Sequence, residues 1–161
     1  ANLYKNNKLL NKILLSGEQG IGKSTLAYHI INHILSINED FSYDTKNFKI
    51  NPGNKSFKLI LNKSNPNFIS IDIDDDKKSI DINQIRNLIL NLNKSSFNTK
   101  PRFVLIDNIE LLNINSVNAL LKILEEPNDN TLVISKNENK DIKTNHNILT
   151  FRYLNNTIVL M

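Results

Sequence analysis

Apolar residues recur along the chain in short blocks whose period alternates between strand-like and helix-like. Lys12 to Ser16 (KILLS) is a short apolar run that predicts a buried strand. Lys23 to Ser36 predicts a helix, with Leu26, Ile30, His33 and Ile34 spaced for one face. Asn47 to Leu61 holds two weak apolar stretches on either side of Asn51, Pro52, Gly53 and Asn54, a pattern that predicts a turn between short strands. Phe68 to Ile73 alternates as a strand. Asp81 is placed to cap a helix running to about Leu92, with Ile82, Ile85, Leu88, Ile89 and Leu92 in helical period. After Pro101, Arg102 to Ile106 (RFVLI) is a strongly apolar strand. Asn115 or Ser116 is expected to cap the next helix, with Val117, Leu120, Leu121 and Leu124 as its buried stripe and Pro127 as its stop. Thr131 to Ser135 (TLVIS) predicts another buried strand, and Ile148 to Leu154 a fifth. Strands that alternate with helices predict an α/β fold: a three-layer αβα core around a mainly parallel sheet of about five strands. Right-handed crossovers would bring the loops that follow the strands to one sheet edge, where ligands bind in such folds.

Composition narrows the class. The 161 residues are 40% hydrophobic and 22% charged, as expected of one globular domain spanning 1–161. No apolar run approaches the roughly 20 residues of a membrane helix, and no leader pattern is read at the start, so a cytoplasmic protein without membrane contact is expected. There is no cysteine, which excludes disulfides, cysteine-held zinc and thiol catalysis. The net charge of +4 suits contact with a polyanion, but the lysines form no tight cluster and read rather as a solvated surface. Asparagine is spread along the chain and interleaves with the apolar periods, so it does not read as a disordered tract. The chain opens on Ala1 rather than Met, and a fragment is expected.

Chemistry concentrates between the first strand and the first helix. Gly17-Glu18-Gln19-Gly20-Ile21-Gly22-Lys23-Ser24 matches the spacing G-x-x-x-x-G-K-[ST]. Three of the four glycines in the chain lie here. Glycines let successive backbone N–H groups turn inward around phosphate oxygens, and the helix N-terminus adds partial positive charge. In this reading Gly17, Gln19, Gly20, Ile21, Gly22, Lys23, Ser24 and Thr25 bind ATP, Lys23 reaches the β and γ phosphates, and Ser24 ligates Mg²⁺. The competing reading is a glycine turn that joins strand to helix without a ligand. Asp107 closes the apolar strand at Arg102 to Ile106, where such proteins place a carboxylate in the Mg²⁺ shell; the competing role is a helix or turn cap. Lys23 and Asp107 are thus the candidate catalytic residues. Asn108 follows where many ATPases carry a glutamate that orients water. An amide cannot act as a base, and Glu110 lies two residues further on. Nucleotide binding with weak or no intrinsic hydrolysis is the expectation.

Three segments, GEQGIGKSTLAYHI, SIDINQIRNLI and IDNIELLNINSVNALLKILEEPNDNTLVIS, together resemble one family, and the run Asn118 to Pro127 is the most specific piece. The chain resembles the delta-prime subunits of the bacterial DNA polymerase III clamp loader, AAA+ proteins of the P-loop class, over most of Lys12 to Ser135. The resemblance implies an AAA+ core with a RecA-like sheet, followed in the family by a small lid domain and a helical collar. It implies partners: the other clamp-loader subunits, the sliding clamp, and primer–template DNA. It also implies that Asn137 senses the γ-phosphate. The function it implies is an ATP-binding subunit that helps load the sliding clamp on primed DNA during replication. The family's Ser-Arg-Cys, whose arginine completes a neighbour's site, is replaced in the natural register by Asn145-His146-Asn147, and Arg152 could substitute only with a shift of several residues. The zinc module that many relatives hold by cysteines is missing, and with the chain ending at Met161 the lid and collar are expected to be absent. The alternative is a stand-alone P-loop NTPase or kinase. A kinase needs lid arginines, and the chain has only Arg86, Arg102 and Arg152.

Three further patterns carry less. Asp72, Asp74 and Asp76 have the spacing that opens a calcium loop, but Lys77 stands where glycine is needed and Asn83 where the bidentate glutamate belongs. His29 and His33 lie one helical turn apart without an evident third zinc ligand. Glu125-Glu126-Pro127 reads as a helix terminus.

Overall fold

The computed structural model describes residues 12–95, 98–125, 130–137 and 157–160. Strand β1 (Lys12–Ser16) leads through the glycine loop into helix α1 (Lys23–Leu35). Helix α2 (Lys55–Leu61), strand β2 (Phe68–Ile71), helix α3 (Ile82–Leu92) and strand β3 (Arg102–Ile106) follow. A one-turn 3₁₀ helix at Ile109–Leu111, helix α4 (Ile114–Glu125), strand β4 (Thr131–Asn137) and strand β5 (Thr157–Leu160) complete the described order.

The sheet has five strands in the order β2-β3-β4-β1-β5, and all its pairings are parallel. β4 therefore lies between β3 and β1. Its register sets Lys136 opposite Leu15 and Asn137 opposite Ser16, at the C-terminal end of β1 where the glycine loop begins.

Strand parity sorts the core into two layers. Leu14, Val104, Ile106 and Val133 face one side, packed with Ile85, Leu88 and Leu92 of α3 and Val117, Leu120 and Leu124 of α4. Leu15, Phe103, Leu105, Leu132 and Ile134 face the other, packed with Ala27, Ile31, Ile34 and Leu35 of α1 and Ile60 of α2. Burial of such a side chain stabilises by roughly 1.5–3 kcal/mol, so both faces of the sheet must be covered. This is the three-layer αβα arrangement that the alternating pattern predicts.

Several boundaries differ from expectation. Asn47 to Leu61 does not form two strands. The turn is present, with Asn54 N donating to Asn51 O at 3.0 Å, but Lys55–Leu61 is helical. Asn54 caps it through a bond from Phe57 N to Asn54 Oδ1 at 2.7 Å, and Ile60 is its buried apolar anchor. A seven-residue helix is too short to show a clear period, and the cap is the stronger signal. The inward face of α1 is shifted from the expected one: Ile34 is buried as expected, but Leu26 is 46% exposed, while Ala27 and Ile31 are fully buried. The cap of α4 is Asn113, whose Oδ1 accepts from Ser116 N at 2.9 Å, rather than Asn115 or Ser116. Asp81 does cap α3, in a reciprocal box in which Asp81 N donates to Gln84 Oε1 at 2.8 Å. β2 is two residues shorter than expected and β4 two longer. The strand expected at 148–154 and the stop at Pro127 lie outside the described residues.

Candidate functional site

The glycine loop joins β1 to α1 at the sheet edge where the strands end. Gly20 (φ +83°) and Gly22 (φ +95°) hold left-handed backbone that a side chain would strain. Within the loop Ile21 N donates to Glu18 O at 3.5 Å, the outer limit for such a bond. Among the described residues, the amides of Gly20, Gly22, Lys23 and Ser24 have no carbonyl acceptor. Gly22 occupies the N-cap of α1 without a capping side chain, and the first turn holds no acid. Most helices satisfy these donors with a side chain. Here they are left for something else.

Lys23 closes the loop from within. Its ammonium donates to Gly17 O at 2.9 Å and Glu18 O at 2.8 Å, so it lies across the mouth of the turn. Glu18, Gln19, Gly20, Ile21 and Thr25 are exposed, and Ile21 is 70% so.

Asp107 is reached from across the sheet. Asn108, at its shoulder, adopts a left-handed conformation (φ +50°) and donates from Nδ2 to Asp72 Oδ1 at 3.0 Å. Asp107 itself is held in an ion pair with Lys136, a residue that sequence reasoning did not single out. The Lys136 ammonium also donates to Ser24 Oγ. The structure thus brings together Lys23, Ser24 and Asp107 as expected, and adds Lys136 between the last two. Asn137 is fully buried at the end of β4, beside the base of the loop. Tyr28 shares this edge. Burial raises its hydroxyl above the usual value, a bond with Ser70 opposes that, and the carboxylates of Asp107 and Asp72 add to the rise.

A divalent ion would take oxygen donors from a hydroxyl and a carboxylate, which are the donor types of Ser24 and Asp107. In this structure, however, both donors already bind the chain's own ammonium. The pair does not fit an added Mg²⁺ as it stands.

The residues of the weaker calcium and zinc patterns are engaged elsewhere. Asp74 pairs with Lys77 at 2.9 Å and accepts from Gln84 Nε2 at 3.1 Å, which makes the acidic stretch an ordered turn before α3. His29 and His33 both meet Tyr43 edge-on, with ring centroids 5.5 Å and 5.3 Å apart, and His29 Nδ1 is hydrogen-bonded to the Tyr43 hydroxyl at 2.9 Å. His146, Arg152 and Glu126 lie outside the described residues. Among the described residues no group of three or more His, Cys, Asp or Glu could hold a metal ion, and no helix is long and apolar enough to cross a membrane.

The parallel sheet, the glycine loop on its inner strand β1 and the acid at the end of β3 define an α/β fold of the P-loop, AAA+ type. The sequence profile of the family described as "DNA polymerase III, delta subunit" matches residues 1–148, and the chain belongs to that family. DNA polymerase III subunit delta' of Pseudomonas aeruginosa is 28% identical over 121 residues, 75% of this chain and 35% of that protein. The protein of the same name from Buchnera aphidicola subsp. Baizongia pistaciae is 30% identical over 131 residues, 78% of this chain and 37% of that protein. The chain thus spans little more than a third of these relatives. Among solved structures, a DNA polymerase III gamma subunit-related protein of Thermotoga maritima superposes with a TM-score of 0.63 at 17% identity, covering 99% of this chain and 45% of that one. The DNA clamp loader delta protein of Bacillus subtilis gives 0.56 at 12% identity, covering 99% and 40%. At these identities the two structures support the fold.

Proposed function

We propose that this chain is the nucleotide-binding core of a delta-prime-type clamp-loader subunit, and that it binds ATP at Gly17 to Thr25 with weak or no hydrolysis of its own. The observation that carries this reading is the loop itself. Among the described residues the amides of Gly20, Gly22, Lys23 and Ser24 have no carbonyl acceptor, and an ammonium lies over the same turn. That arrangement suits a chain of phosphate oxygens. Asn137, buried beside the loop, is the residue proposed to sense the γ-phosphate. Asn108 supports slow turnover, because its amide is no base and is tied to Asp72.

Family membership supports the wider role: assembly with other clamp-loader subunits and action on the sliding clamp and primer–template DNA during replication. The test is a titration of the chain with a fluorescent ATP analogue, paired with phosphate-release kinetics. Binding with negligible release is expected. Brisk release by the isolated chain would favour a self-sufficient NTPase, and no binding at all would remove the nucleotide reading.

A further inference from the structure

We infer that the Lys136 ammonium takes the place of the divalent cation at this site, so that the chain receives a nucleoside triphosphate as metal-free polyphosphate. The inference rests on the nucleotide reading above and concerns the charge that accompanies the ligand.

Strand geometry puts the ammonium there. Leu132 and Ile134 of β4 face the α1 layer, as do Phe103 and Leu105 of β3. Side chains alternate along a strand, so Lys136 and Asp107 emerge on that same face, one past the apolar run of each strand. α1 begins on that face with Lys23 and Ser24. Because β4 lies between β3 and β1, a side chain at its end spans from the acid on one side to the loop on the other. The Lys136 side chain is 8% exposed, and it meets Asp107 Oδ2 and Ser24 Oγ together.

The chemistry then disfavours a metal. Mg²⁺ demands near-octahedral oxygen coordination, and the two oxygens this chain would offer are already bound to the ammonium. To admit the ion, Lys136 would have to leave its carboxylate, and its charge would remain buried beside a dication. A polyphosphate needs no such displacement. An ammonium has three N–H donors, of which the acid and the hydroxyl use two. Lys23 lies on the carbonyls of Gly17 and Glu18 and Lys136 on the hydroxyl of Ser24, so two ammonium groups stand at the loop for phosphate oxygens.

The experiment is to titrate the full chain with N-methylanthraniloyl-ATP by fluorescence anisotropy, once in excess EDTA and once in excess MgCl₂. Wild type is expected to bind in both, with Kd values within about threefold of each other. Lys136→Met, checked for folding by circular dichroism, is expected to bind at least about tenfold more tightly with Mg²⁺ than with EDTA. A wild-type affinity that rises about tenfold or more with Mg²⁺ would overturn the inference and leave the nucleotide reading standing. Failure of wild type to bind in either buffer would overturn that reading first, and binding by Lys136→Met alone would make Lys136 a plug. If the variant does not fold, the wild-type pair of titrations still decides.

Discussion

The two ends of α1 treat their backbone groups in opposite ways. At the C-terminal end, Lys100 Nζ donates to Leu35 O at 2.7 Å and to Glu39 Oε1 at 3.3 Å. Glu39 in turn accepts from Ser56 N at 3.1 Å, while Asn54 joins Asn32 of the helix to the carbonyl of Phe41. A cation on the last carbonyls also suits the helix dipole. Leu35, Glu39, Phe41, Ser56 and Lys100 line a cavity of about 550 Å³, and the bonds just described tie these residues to one another and to Asn54. At the N-terminal end the donors face outward without partners among the described residues, and Gly22 provides no cap. Polar groups that satisfy one another hold a fold together. Donors left open at the start of a helix invite a ligand, and the contrast assigns structure to one end and recognition to the other.

That contrast can be broken. The largest effect is expected from Lys23→Ala, which should weaken binding of the fluorescent nucleotide by about 10- to 100-fold, the worth of a charge-assisted bond, with little change in urea midpoint. Unchanged affinity would erase the distinction. Lys100→Met should do the reverse, costing about 1–2 kcal/mol in urea unfolding and leaving nucleotide affinity alone. Asn54→Ala removes the α2 cap and the partner of Asn32, and about 1–2 kcal/mol is expected by the same measurement. Gly22→Ala is expected to cost about 1–2 kcal/mol by forcing a side chain into left-handed backbone, even though a Cβ there meets no atom within 4 Å.

The smallest effect is a pH dependence. Burial raises the Glu39 carboxyl, but Ser56 and Lys100 outweigh it and hold the group below its ordinary value of 4.5. A folded-state value below the unfolded one stabilises the protein above pH 4.5, and that contribution is lost as pH falls through the lower folded value. Glu39→Gln should therefore flatten the acid limb of a urea-midpoint profile below about pH 5 without altering nucleotide binding at neutral pH. An identical limb in both proteins would argue that the knot at the C-terminal end contributes little.

What could be read from the sequence follows the range of each interaction. The glycine loop is contiguous, so its spacing alone placed Gly20, Gly22 and Lys23. Long apolar periods placed α3, β3 and α4, and Asp81 as a cap announced where α3 starts. The helix at Lys55–Leu61 was missed because seven residues give too few turns for a period, although Asn54 before Phe57 and Ile60 was a usable cap signal. Leu26 was put on the wrong face because helix spacing cannot say which of two adjacent stripes meets the sheet. Lys136 was missed for a different reason. It lies 112 residues from Ser24, and only the strand order brings the two together. Its one sequence signal was a lysine directly after the apolar run Thr131 to Ser135, an odd place for a charge unless something at that sheet edge receives it.

The alternation of β4 fixes more than packing. Insertion or loss of a single residue between Leu132 and Lys136 would rotate the amine to the layer of α3 and α4, among Leu88, Val117 and Leu120. The carboxylate of Asp107 would then be left to find another counter-charge. Descendants of this chain can therefore exchange many residues of β4 for others of similar bulk, but its length cannot drift by one without rewiring the charge beside the glycine turn.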